Sequence, residues 1–153
     1  MTEEFKRIID EDIQDINTIF INGVVQLYVK KEGTMIPLKL AGDGLKSLLF
    51  IISAIMCNPK AIILVDEIET GYHYTMYEKL WGAIAEAATI NDCQVIATTH
   101  SYECIQGAIT ALSEEQREEF TYIRVGKSNG QERAYVYTDE LLETAILSDM
   151  EVR

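Results

Sequence analysis

Ala61-Ile62-Ile63-Leu64-Val65-Asp66-Glu67 is an unbroken apolar run that ends in two carboxylates. That is the pattern of a strand buried on both faces of a parallel sheet, its C-terminal end opening onto a ligand crevice. Gln94-Val95-Ile96-Ala97-Thr98-Thr99-His100-Ser101 repeats the pattern and ends in a polar quartet. Between the two, Tyr77, Leu80, Trp81, Ile84 and Ala88 recur at helical spacing, enough for the crossover helix that parallel strands require. The expected fold class is therefore α/β, with parallel strands joined by crossover helices. Asp66, Glu67 and His100 then fall along one sheet edge, where open α/β sheets bind ligands.

An acidic pair in that position suits a magnesium nucleotide. Magnesium takes carboxylate and water oxygens, so one carboxylate can hold the hydrated ion while a second orients the attacking water. The stretch Asp66-Glu67-Ile68-Glu69-Thr70-Gly71-Tyr72-His73, followed by a helix and then Thr98-Thr99-His100-Ser101, resembles the Walker B strand, D-loop and switch histidine of ABC-type ATPases. The resemblance is to the bacterial "AAA domain" ATP-binding proteins, in the branch with the overcoming-lysogenization-defect and RecF-like proteins. It implies a partial P-loop NTPase lobe that works with ATP and Mg2+. Asp66 would support the metal, Glu67 would polarise water, and His100 with Ser101 would contact the γ-phosphate. Glu69, Gly71 and His73 would lie in a D-loop across a dimer interface. The group usually shows Asn and Leu where this chain has Thr70 and Tyr72.

Gly42-Asp43-Gly44 opens a second apolar helix, expected over residues 45–57 and buried on most sides. A Gly-x-Gly turn leaves backbone N–H groups free at a helix start and lets an anion approach. By the resemblance, Gly42, Asp43 and Gly44 belong to the signature loop, which meets the γ-phosphate of a nucleotide held on the opposite protomer. Lys46-Ser47 is not part of a P-loop, because Leu40 and Leu45 stand where G-x-x-x-x-G-K-[ST] demands glycine. With no Walker A motif, the sequence matches only the C-terminal lobe of such an enzyme, residues 22–153, preceded by a packing helix within residues 1–21. The expected partner is a P-loop-bearing lobe or subunit, within a homodimer in the complete enzyme. The chain would then be a truncated form, a gene remnant or one half of a split enzyme, unable alone to hold ATP in the usual way.

Composition narrows the alternatives. At 153 residues the chain is of single-domain length, and 25 acidic against 13 basic residues give a net charge of −12. That balance disfavours a direct DNA or anionic-membrane surface, since phosphate binding draws on clustered Lys and Arg. Asp66, Glu67, Glu69, His73 and His100 also suit a divalent-metal nuclease, but no basic DNA-holding surface accompanies them. A third reading is a non-catalytic interaction or regulatory module derived from the ATPase. Cys57, Cys93 and Cys104 lack metal-ligand spacing and read as buried thiols of a reduced, cytoplasmic protein. The longest apolar stretch, residues 48–57, is too short to span a bilayer.

The flanks carry less chemistry. Phe5, Ile8, Ile9, Ile13, Ile16 and Phe20 fall on one helical stripe, predicting an amphipathic helix over residues 3–20. Residues 24–30 and 34–40 read as a hairpin around Lys31-Glu32-Gly33. Residues 120–125 and 133–137 read as a second hairpin around residues 126–130, closing the sheet edge. A helix from Ser101 to about Leu112, a solvated charge run over residues 114–119 and a final helix over residues 140–147 complete the expectation.

Overall fold

The computed structural model describes residues 13–128 and 130–138. Its strands form a three-stranded antiparallel sheet, β1 (Ile13–Ile21), β2 (Val24–Lys31) and β3 (Thr34–Pro37), a parallel pair, β4 (Ile62–Val65) and β5 (Gln94–Ala97), and an antiparallel pair, β6 (Thr121–Ser128) and β7 (Gln131–Thr138). The helices are α1 (Asp43–Cys57), α2 (Tyr77–Asn91), α3 (Tyr102–Ala111) and α4 (Glu114–Glu118), with 3-10 turns at Leu38–Leu40 and Tyr74–Met76.

The predicted strand, helix, strand unit is present: β4 runs parallel to β5 with Ile62 opposite Gln94 and Val65 opposite Ala97, and α2 crosses between them. Tyr77, Leu80 and Ile84 of α2 are buried, as their spacing requires. They join Leu48, Leu49, Ile52 and Ile55 of α1, Cys104 of α3, and Ile13 and Val29 of the antiparallel sheet in one core. Helices α2 and α3 approach so closely at Gly107 that a Cβ there would lie 2.7 Å from Tyr77 Cβ. The Trp81 indole N–H donates to the Cys104 carbonyl at 2.9 Å and ties the same two helices.

Several expectations are corrected. The apolar run is not buried on both faces. Ile63, Val65, Val95 and Ala97 pack inward, whereas Ile62 is 62% exposed, Leu64 74% and Ile96 50%. Helix α1 is likewise one-sided, with Phe50 73% exposed, because its neighbours cover only the stripe through Leu48, Ile52 and Ile55. Ile13–Ile21, assigned to an amphipathic helix, is a strand paired with β2 from Ile13 opposite Lys31 to Ile21 opposite Val24. Residues 1–12, the rest of that expected helix, lie outside the described residues. Asn22 and Gly23 turn the chain at positive φ, 50° and 81°, which is the twist a two-residue hairpin loop needs. Cross-strand pairing from that turn overrides the helical periodicity of three residues.

The first predicted hairpin is present, with Lys31 opposite Thr34. The second has longer strands and a tighter turn than expected, since Ser128 pairs with Gln131. Among the described residues β6 and β7 pair only with each other and do not close the edge of β4 and β5. The charge run forms the short helix α4, started by a capping box between Ser113 and Gln116. Cys104 is buried and Cys93 half-buried, but Cys57 is exposed at the end of α1. The expected final helix, residues 140–147, lies outside the described residues.

Candidate functional site

Pairing of Val65 with Ala97 brings the two strands to their carboxyl ends together, so the next residues, Asp66 and Thr98, adjoin across the pair. The Thr98 hydroxyl donates to Asp66 Oδ1 and accepts the Glu67 backbone N–H at 2.8 Å. Its backbone N–H donates to the Val65 carbonyl at 2.9 Å, and its carbonyl accepts the Ile68 N–H at 3.0 Å. Glu67 sits in the left-handed region at φ 48°, a conformation that costs a non-glycine residue roughly 1–2 kcal/mol. The Thr98 bonds on either side hold it there. The Glu67 carboxylate also accepts a 3.2 Å hydrogen bond from Thr70 Oγ1. Asp66 and Glu67 are both solvent-exposed, whereas Ile68 is buried and anchors the turn in the core.

The loop that follows reaches back to the second strand. Glu69 Oε1 accepts the His100 backbone N–H at 2.7 Å. Burial pushes the Glu69 carboxyl up, but the His100 N–H and weaker contributions from neighbouring groups outweigh it and leave the group below the usual carboxylate range. The His100 side chain itself is exposed. Ser101 caps α3, its hydroxyl accepting the Cys104 N–H at 3.1 Å and donating to Glu103 at 3.0 Å. That cap fixes where the helix starts and where His100 stands.

Gly42 precedes α1 at φ 93° with no side-chain cap on the helix. Asp43 pairs with Lys46 Nζ at 2.6 Å, and the hydrogen bond and charge of Lys46 hold the Asp43 carboxyl below its usual range. Gly44 lies against the loop of residues 69–73: a Cβ there would come within 3.0 Å of the Gly71 carbonyl oxygen and of Tyr72 Cδ1. A Cβ on Gly71, whose φ is 87°, would in turn lie 3.3 Å from Asp43 Cβ. Tyr72 is half-buried by this packing, which pushes its phenol up, and its hydroxyl has no hydrogen-bond partner among the described residues. The two loops named by the sequence thus meet through two glycines and one tyrosine.

Asp66, Glu67, Glu69 and His100 are therefore brought to one edge, and the turn of residues 42–44 joins the same loop through Gly71 and Tyr72. His73 is engaged elsewhere, 4.4 Å from the Tyr74 ring and 3.0 Å from Thr75 Oγ1. Among the described residues no three His, Cys, Asp or Glu side chains gather into a metal-binding group. Thr98 was not singled out in the sequence as a site residue. Its signal was its place one step beyond the last strand pair, beside the acidic pair.

Residues 2–105 match the family model described as "AAA domain, putative AbiEii toxin, Type IV TA system". The chain belongs to this AAA-domain family. It is an AAA/ABC-type ATPase domain, as the residues of the acidic edge implied. An "ATP/GTP phosphatase" of Helicobacter pylori is 36% identical over 100 residues, which are 63% of this chain and 27% of that protein. The chain thus spans about a quarter of the length of that curated relative.

Solved structures agree on the fold of this AAA domain. One, from work on "ATP-driven dimerization and DNA stimulated activation of SMC ATPases", aligns over 98% of this chain and 90% of its own, with TM-score 0.62 and 16% identity. The Smc head domain of Pyrococcus furiosus, bound to the C-terminal domain of ScpA, aligns over 96% of this chain and 36% of its own, with TM-score 0.61 and 16% identity. That of Pyrococcus yayanosii gives 0.63 and 17% over 97% and 29%. At these identities the likeness establishes a P-loop ATPase fold of the SMC-head kind.

Membership of an ATPase family implies a nucleotide with its magnesium ion, and the edge residues of the AAA domain fit one. Magnesium is usually held by one or two carboxylates, with water and phosphate oxygens completing its shell, so a cage of three protein ligands is not required. The exposed Asp66 carboxylate, oriented by Thr98, is a donor of that kind. Among the described residues no helix is long and apolar enough to cross a membrane.

Proposed function

We propose that this chain supplies the C-terminal, carboxylate-bearing part of an ATP-hydrolysing site, completed by a P-loop-bearing lobe or subunit. One observation carries the reading: the parallel register of β4 and β5 gathers Asp66, Glu67 and the switch-like His100 at one strand end. Support for the missing part comes from the outer face of the same strands, which is exposed among the described residues, since parallel sheets are covered on both faces. ATP and Mg2+ are the cofactors, and the bound cation would neutralise phosphate charge. Asp66 would hold the metal's shell, acting as a Walker B carboxylate. Glu67 would accept a hydrogen bond from the attacking water and orient it. His100 would donate to the γ-phosphate. The turn of Gly42, Asp43 and Gly44 would act as the signature loop, offering backbone N–H groups to a nucleotide on the opposite protomer of a homodimer. Glu69, Gly71 and His73 would form the D-loop at that dimer interface. Ser101 would contribute mainly by fixing the position of His100. The three free thiols suit a reducing cytoplasm.

The test is phosphate release from ATP by the chain mixed with a matched P-loop lobe. Activity should appear only in the mixture and should fall by about 10²–10³-fold in Glu67→Gln, the scale of losing a positioned acid–base group. A mixture that forms a complex yet gains no ATPase activity would make the chain an interaction module instead.

A further inference from the structure

We infer that Thr98 is a positioning residue for the acidic pair, its single hydroxyl setting both the Asp66 carboxylate and the Glu67 backbone. The inference rests on the reading of Asp66 as the metal-supporting carboxylate. Thr98 is bonded to each of residues 65, 66, 67 and 68: its N–H to the Val65 carbonyl, its hydroxyl to Asp66 and to the Glu67 N–H, and its carbonyl to the Ile68 N–H. A hydroxyl has one proton. Because Oγ1 accepts from Glu67 N–H, that proton is directed to Asp66 Oδ1, which leaves Oδ2 for a cation. The same acceptance pins Glu67 in its left-handed conformation, and so sets the direction in which its side chain leaves the strand. Backbone pairing alone would fasten the strand ends. The hydroxyl adds nothing to that pairing and acts on the two carboxylate residues themselves. Groups that orient a metal's carboxylate ligands in this way typically control 10–100-fold of metal affinity.

The probe is Mn2+ added to the 15N-labelled chain, read as paramagnetic broadening of the amide signals of residues 65–68. Wild type and Thr98→Ser, which keeps the hydroxyl, should broaden at the same Mn2+ concentration. Thr98→Val, which keeps the branched shape and loses the hydroxyl, should need at least about tenfold more, with the spectrum elsewhere unchanged. Asp66→Ala should abolish the selective broadening. Equal Mn2+ midpoints in wild type and Thr98→Val would overturn the positioning role and leave the Asp66 reading standing. Broadening that survives Asp66→Ala, or its absence from residues 65–68 in wild type, would overturn the Asp66 reading and this inference with it. If Thr98→Val does not fold, Thr98→Ala is titrated in its place, and a Mn2+ midpoint equal to that of wild type overturns the proposal.

Discussion

Ile63 and Leu64 are neighbours in one strand, isomeric in side chain, and have opposite fates. Ile63 packs on the core with Val65, Val95 and Ala97, while Leu64 is 74% exposed in a row with Ile62 and Ile96. The inner face is satisfied by the chain's own helices. The outer face carries the same kind of side chain and is left exposed among the described residues. Burying a Leu or Ile fully is worth about 1.5–3 kcal/mol, so the outer row holds a substantial unused driving force for association. The difference teaches that one face of the apolar run is satisfied within the chain, while the other is the face that the proposed second lobe would cover.

That comparison can be broken from the inside first. Gly107→Ala places a methyl 2.7 Å from Tyr77 Cβ and should force α2 and α3 apart beneath the inner face, costing about 1–3 kcal/mol in urea denaturation. Ile63→Ala, at a half-buried inner position, should cost about 1–2 kcal/mol, below the range for fully buried isoleucine. Leu64→Ala should leave the chain's own stability within about 0.5 kcal/mol yet weaken capture of a P-loop lobe in a pull-down titration. Equal losses at positions 63 and 64 would erase the distinction between the faces.

The smallest effect lies at the strand ends. Because the Glu69 carboxyl is held below its usual range in the folded chain, it contributes stability above about pH 4.3, the unfolded carboxylate value. That contribution is lost as pH falls through the folded value. The stability gap between wild type and Glu69→Gln should therefore be present at pH 6 and shrink by pH 3.5, read as urea midpoints. A gap that does not change with pH would show that ionisation of Glu69 is not linked to folding.

What was legible in the sequence follows the same division. The order β4, α2, β5 and the grouping of Asp66, Glu67 and His100 were readable, because an apolar run ending in carboxylates and a 3.6-residue repeat are local signals. The bare face was not, since continuous hydrophobicity looks the same whether the second cover is present or comes from elsewhere. β1 was misread because Ile13, Ile16 and Phe20 fit a helical stripe, while its pairing with β2 is a non-local fact. A better local clue was Asn22-Gly23, the two-residue turn signal, and Asn129-Gly130 repeats it between β6 and β7. Thr98 escaped notice because its importance lies in what it bonds across the strand pair.

The uncovered row on β4 and β5 also has a colloidal consequence. Two short strands whose outer edges are unpaired among the described residues, with an apolar face, are a template for wrong pairing between copies. The charge of −12 opposes such encounters, but at physiological salt that repulsion reaches only about 8 Å. If a second lobe covers this row, as we propose, chain in excess of that lobe is the fraction that clumps first.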